Sequence, residues 1–145
     1  MDQTGANARG AHANLLLTGK SGWTAEALRT AAFDPYLPAF ANLLPDLVKA
    51  WEVLAMTDAR RTALAEPIAL LRSWDYRWSS DSQATSLAVF WGDHLGSEVG
   101  SLAQAERMNV PTYIAARVSP ADKLAALTAA VERLKRDFGD WRVPW

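Results

Sequence analysis

The sequence predicts an all-α fold, an irregular bundle of about five to seven helices. Three observations predict it. Apolar residues recur at three- and four-residue spacing along most of the chain, the signature of a helix that buries one face. These stretches are bracketed by residues that start and stop helices: Ser, Thr or Asp before the first turn, Pro inside it, Gly beyond the last. No period-two stretch is long enough to make a sheet, and no internal repeat is evident. The 145 residues suit a single domain, and a compact domain of that size buries about 68–70% of the surface its unfolded chain exposes. Half of the residues are hydrophobic and seven are Trp. Each indole covers a large apolar area while its N–H needs an acceptor, so helices meeting at aromatic joints are expected.

The elements follow in order. Residues 1–22, rich in Ala, Asn and Gly, read as a poorly ordered segment with a short periodic helix from Ala8 to Leu17 that ends at Gly19; residues 24–138 read as the helical core. Thr24 fits an N-cap, Glu26 complements the dipole of the first turn, and Leu28, Ala31 and Ala32 form a small apolar face up to about Phe33. Pro35 and Pro38 punctuate the next join. Phe40, Leu43, Leu44, Leu47, Trp51 and Leu54 then mark a helix that Pro45 should kink or divide, since proline lacks an N–H and crowds the preceding turn. Asp58 fits the cap of another helix, with Leu64, Ile68, Leu71 and Trp74 on one face and Pro67 as a restart. Beyond the polar run Ser79 to Gln83, the set Leu87, Val89, Phe90, Trp91, His94 and Leu95 predicts a strongly buried helix stopped near Gly96. Residues 97–118 carry the weakest pattern. The last helix has the clearest signals: Ser119 as cap, Pro120 at the first position, Asp122 in the first turn, then Leu124, Leu127, Val131, Leu134 and Phe138, with Arg133, Lys135 and Arg136 near its end and Gly139 as its stop.

Composition excludes several functions. Fifteen Lys and Arg against sixteen Asp and Glu leave a formal charge of −1, with no overall field for a phosphate backbone, so no nucleic-acid partner is expected. The absence of cysteine removes disulfides, thiol catalysis and thiolate metal sites. No metal and no cofactor are expected: His12 and His94 lie far apart, and neither an H-E-x-x-H helix nor an EF-hand loop is present. Gly19-Lys20-Ser21 matches only the tail of a phosphate-binding loop. No run approaches the roughly 18 apolar residues of a membrane span, and no basic start precedes an apolar stretch, so no membrane partner is expected and any export signal would lie outside this chain.

Hydrolytic chemistry within the chain would have to use Ser79, Ser80 or Ser82 with His94. Neither G-x-S-x-G nor S-x-x-K accompanies them, and the serines read as caps or solvated turn residues. His94, inside an apolar stripe, reads as a hydrogen-bonded packing residue.

A different signal lies in the order of four longer segments: ANARGAHANLLLTGKSGWT at 6–24, FDPYLPAFANLLPDLVKAW at 33–51, LAEPIALLRSWDYRWSSDSQATSLAVFW at 64–91 and RLKRDFGDWRVPW at 133–145. Together they resemble the penicillin acylase (penicillin amidase) family of N-terminal nucleophile hydrolases, over a helical internal segment of the catalytic β chain. The resemblance implies an amidohydrolase whose precursor cuts itself to expose a serine. The amine of that serine serves as general base, and its oxyanion is held by backbone N–H groups and an asparagine side chain. Neither the nucleophile serine nor the oxyanion asparagine can be matched to a position in this chain. One supporting catalytic residue is implied: Arg9, at a spacing before Thr24 that suits the family's arginine close to the active site. The resemblance also implies a periplasmic or secreted setting. The expected function is therefore that of a helical fragment of an acyl amide hydrolase, acting on a β-lactam side chain or an N-acyl homoserine lactone and inactive in isolation. Its expected partner is the remainder of an acylase catalytic chain. The alternative is an autonomous helical interaction module that self-associates through exposed apolar helix faces.

Overall fold

A computed structural model describes residues 8–145, and among them lie eight helices and no strand: α1 (Ala8–Leu17), α2 (Ala25–Ala32), α3 (Pro38–Glu52), α4 (Ala59–Ala63), α5 (Ala65–Ser73), α6 (Gln83–Ala105), α7 (Val110–Arg117) and α8 (Pro120–Phe138). The fold is all-α as predicted, with a helix count slightly above the expected range. The expectation of poor order at 1–22 rests partly on residues 1–7, which lie outside the described residues.

Most helices begin where side-chain oxygens can replace the missing intrahelical acceptors. Thr24, Asp58, Ser82, Asn109 and Ser119 each accept a backbone N–H of the first turn, at 2.9–3.1 Å. Asp58 also receives the Arg60 guanidinium at 2.6 Å. Those side-chain and backbone bonds hold its carboxyl at about 2, well below the usual aspartate range. At the other end, Gly139 closes α8 with φ +87°, a left-handed conformation that costs a residue without Cβ nothing.

The long helices α6 and α8 pack along each other, α3 lies against α8, and α5 and α7 fill the flanks. Trp91 sits at the centre with no exposed surface, and its Nε1–H donates to the Lys123 carbonyl at 3.0 Å. One side chain thus fills the space between α6 and α8 and satisfies its own polar tip. Around it, Leu44, Leu47, Ile68, Leu71, Leu87, Leu95, Leu127 and Leu134 are fully buried. Trp74 and Trp141 are buried as well, so these helices cover much of their own aromatic surface. Phe138, expected on the buried face of α8, is instead exposed and meets Phe90 edge-on at 6.1 Å.

Three expectations change in detail. Pro45 does not divide α3, which runs through it as one helix of 15 residues. Leu64, rather than Pro67, marks the break between α4 and α5. Pro67 falls in the first turn of α5, where a missing N–H leaves no bond unmade. Gly96 does not stop α6: the helix continues to Ala105 because Val99 and Ala103 extend its buried face. Gly92 has a packing role there, since a Cβ at that position would stand 3.1 Å from the Phe40 ring. Glycine lets α3 and α6 approach at that point.

The end of α3 is closed by an arginine from the next helix. Arg61 Nη1 donates to the Glu52 and Leu54 carbonyls at 3.0 and 2.9 Å, its guanidinium lies 5.2 Å from the Trp51 ring centre, and Trp51 Nε1 donates back to the Arg61 carbonyl. Carbonyls orphaned at the helix terminus thereby gain a cationic donor.

Candidate functional site

Two irregular segments, 34–37 and 74–78, face each other at one end of the bundle. Each is folded by an aspartate onto its own backbone: Asp34 Oδ1 accepts the Tyr36 N–H at 2.9 Å, and Asp75 Oδ1 accepts the Arg77 N–H at 3.0 Å. An aspartate side chain that mimics a backbone turn in this way needs only the residues two positions on. The two turns are then tied together. Tyr36 and Arg77 form an antiparallel bridge, with the Leu37 N–H donating to the Tyr76 carbonyl at 2.8 Å and the Trp78 N–H to the Pro35 carbonyl at 3.1 Å. Tyr76 is held at φ +60°, a costly conformation for a bulky residue that persists only where its surroundings fix it. Trp74 supplies much of that constraint. Its ring meets Phe40 at 5.9 Å and Tyr76 at 5.6 Å, and its Nε1–H donates to the Arg77 carbonyl at 2.8 Å.

The polar centre of this corner is Asp34. Its Oδ2 accepts Arg77 Nη1 at 3.1 Å, and its Oδ1 also lies 3.1 Å from His12 Nε2 on α1. The carboxylate can only accept, so the His12 Nε2 carries the hydrogen. The Tyr36 N–H bond, then the Arg77 guanidinium and the His12 bond, outweigh burial and hold the Asp34 carboxyl below its ordinary range. A carboxylate lowered in this way stabilises the fold fully above its unfolded-state value and loses that contribution as pH falls through the folded-state value. The protection factor of the Tyr36 amide, its exchange measured against the intrinsic rate at each pH, is therefore expected to stay constant from pH 7 down to about 5 and to fall locally only below about pH 4. Loss of protection already near pH 6 would show that Asp34 does not hold the turn.

Arg9, the one site residue implied by resemblance, is exposed on α1 and has no hydrogen bond or ion pair among the described residues. It borders a mostly apolar cleft of about 240 Å³ whose other walls include His12, Tyr36, Leu37, Pro38 and Phe40. The structure therefore brings Arg9 to the edge of the same corner. His12, Asp34 and Arg77 were not singled out as site residues, although the Asp-Pro-Tyr and Trp-Asp-Tyr-Arg strings carry the turn signal. Their convergence spans 65 positions of sequence, from 12 to 77, which local pattern does not reveal.

The serine and histidine of an independent hydrolytic site do not meet. Ser82 Oγ caps α6, and Ser79 hydrogen-bonds the Asp81 carboxylate, which lowers the pKa of Asp81. His94 is twelve residues further along the same helix, roughly 18 Å away at 1.5 Å per residue. It lies 3.3 Å from Glu98, one turn on. Gly19-Lys20-Ser21 forms no phosphate cradle: the segment lies outside the helices, and the Lys20 ammonium rests over the Trp23 ring at 5.7 Å.

No curated protein and no solved structure matches the chain. The family model described as penicillin amidase matches residues 1–145, which takes in α1, the paired turns and the α6–α8 core alike. The chain belongs to the penicillin amidase family.

Proposed function

We propose that these helices buttress the catalytic domain of an acyl amide hydrolase and that Arg9 stands at the edge of its reaction centre, while the nucleophile comes from chain other than the described helices. The observation that carries the reading is the family match over residues 1–145, together with an exposed guanidinium that has no partner among the described residues and borders an apolar cleft. Arginine offers five fixed donors that can organise carboxylate or carbonyl oxygens. The cleft walls suit the hydrocarbon part of an acyl chain, either a β-lactam side chain or the acyl group of a homoserine lactone. The partner of the helices is the remainder of the acylase catalytic chain. Among the described residues no serine stands beside a base, so the helices do not supply acyl transfer themselves.

Incubating the purified 145-residue chain with a phenylacetyl amide and with an N-acyl homoserine lactone is expected to release no acid; serine-dependent turnover would refute the division of labour. In an acylase carrying this segment, Arg9→Lys is expected to lower kcat/KM about tenfold, the equivalent of losing one charge-assisted hydrogen bond of about 1.5 kcal/mol. Unchanged kinetics would remove Arg9 from the site.

Self-association is the second reading, and one observation favours it. Phe33, Val53 and Met56 are each about 80% exposed, apolar surface that a second copy of the chain would cover. Sedimentation distinguishes the two: a concentration-dependent dimer supports self-association, and a monomer at all concentrations counts against it.

A further inference from the structure

We propose that His12 is a positioning residue, which docks α1 onto the paired turns through Asp34 and thereby fixes where Arg9 stands. The docking follows from geometry; its consequence for the reaction rests on the reading of Arg9 given above.

Helix α1 has no buried residue, and Leu15 and Leu17 on it are exposed. A fully buried apolar face therefore does not hold it, in contrast to α3, α6 and α8, each of which buries several large apolar side chains; of the leucines on α1 only Leu16 is half-buried. Of the half-buried residues of α1, Gly10, His12 and Leu16, His12 carries the polar side chain that reaches the body, and it is only 17% exposed against an Asp34 side chain at 20%. The imidazole Nε2–H donates to Asp34 Oδ1, and the ring lies 6.0 Å from the Tyr36 ring, tilted by 58°. Asp34 is itself immobilised by Tyr36 N–H and by Arg77, so the acceptor is already in place when α1 arrives. A bond to a prefixed partner costs only the ordering of the incoming side chain. The same carboxylate joins residues 22 and 43 positions away, and loss of any one donor leaves the other two to hold the turn.

Arg9 lies one turn before His12, at the i, i+3 spacing that puts two side chains on neighbouring positions of one helix face. With no partner of its own among the described residues, the Arg9 guanidinium is placed by the helix that carries it. Releasing His12 therefore moves Arg9 away from the cleft, with no direct change to Arg9.

The chain has no cysteine, so Arg9→Cys provides a single attachment point for a nitroxide. In that background the amides of Leu37 and Ala39, on the opposite wall of the cleft, are expected to be broadened by the label. Adding His12→Leu is expected to abolish the broadening and the exchange protection of α1 while core resonances such as those of Leu127 keep their positions. His12→Gln is expected to restore both effects, because a glutamine amide nitrogen reaches the place of Nε2 and donates to the same oxygen. Broadening that survives His12→Leu, or a glutamine variant no better than the leucine one, would overturn the proposal. The reading of Arg9 is tested separately by the kinetics of Arg9→Lys, so failure of one is distinguishable from failure of the other.

Discussion

Replacing Trp91 with alanine is expected to destabilise the chain by about 3–5 kcal/mol, as measured by urea unfolding followed by helix circular dichroism. The effect has two sources. Trp91 has no exposed surface and is the largest fully buried side chain of the core, so truncation leaves a cavity between α6 and α8 that two long packed helices cannot close. Its Nε1–H is also the partner of the Lys123 carbonyl in the first turn of α8. That carbonyl also accepts the intrahelical N–H four residues on, so losing the indole donor costs it a second hydrogen bond, about 0.5–1.5 kcal/mol. Trp91→Phe separates the two by keeping most of the volume while losing the N–H, and about half of the alanine effect is expected for it. Against a typical domain stability of about 5–15 kcal/mol, the alanine variant is expected to be largely unfolded in modest urea. A loss under 1 kcal/mol would mean that α6 and α8 do not form the central contact.

The ends of helices were more legible in the sequence than their lengths. The Ser119-Pro120 start and Gly139 stop of α8 are read from local chemistry alone, since an accepting hydroxyl, a fixed φ and a missing Cβ act within a few bonds of themselves. Gly96 failed as a stop signal for the converse reason. A glycine weakens a helix by only about 1 kcal/mol, and the burial of Val99 and Ala103 beyond it outweighs that cost. Residues 97–118 were opaque because the second half of α6 is followed closely by the short α7, across a turn with Arg107 at φ +55° that no glycine announces. The family was legible because its signal is the order of whole segments. Of the residues around the corner, only Arg9 was named from the sequence, and that through the resemblance. His12, Asp34 and Arg77 lie on three separate segments, and nothing in the spacing of a lone histidine and an Asp-Pro pair says that they share a carboxylate.

Trp74→Ala is expected to cost a similar amount, about 3–5 kcal/mol and on the order of 10–20 °C in Tm, and to act first on the paired turns at the margin of the core. Trp74 holds three things at once: the Phe40 ring of α3, the Tyr76 ring, and the Arg77 carbonyl. The left-handed backbone at Tyr76 is strained by itself. Without the indole above it, that residue is expected to relax toward negative φ and withdraw the carbonyl that accepts the Leu37 N–H. Arg77 then no longer faces Asp34, and the hub that anchors His12 loses a cationic donor. Hydrogen exchange read residue by residue is the discriminating measurement. Leu37 and Trp78 amides are expected to lose their protection first, followed by those of α1, while α6 and α8 keep the highest protection. For Trp91→Ala the expected order is reversed, with α6 and α8 opening together. Uniform loss of protection in the Trp74 variant would mean that the corner and the core unfold as one unit, and that the placement of α1 is set by global stability instead of by the paired turns.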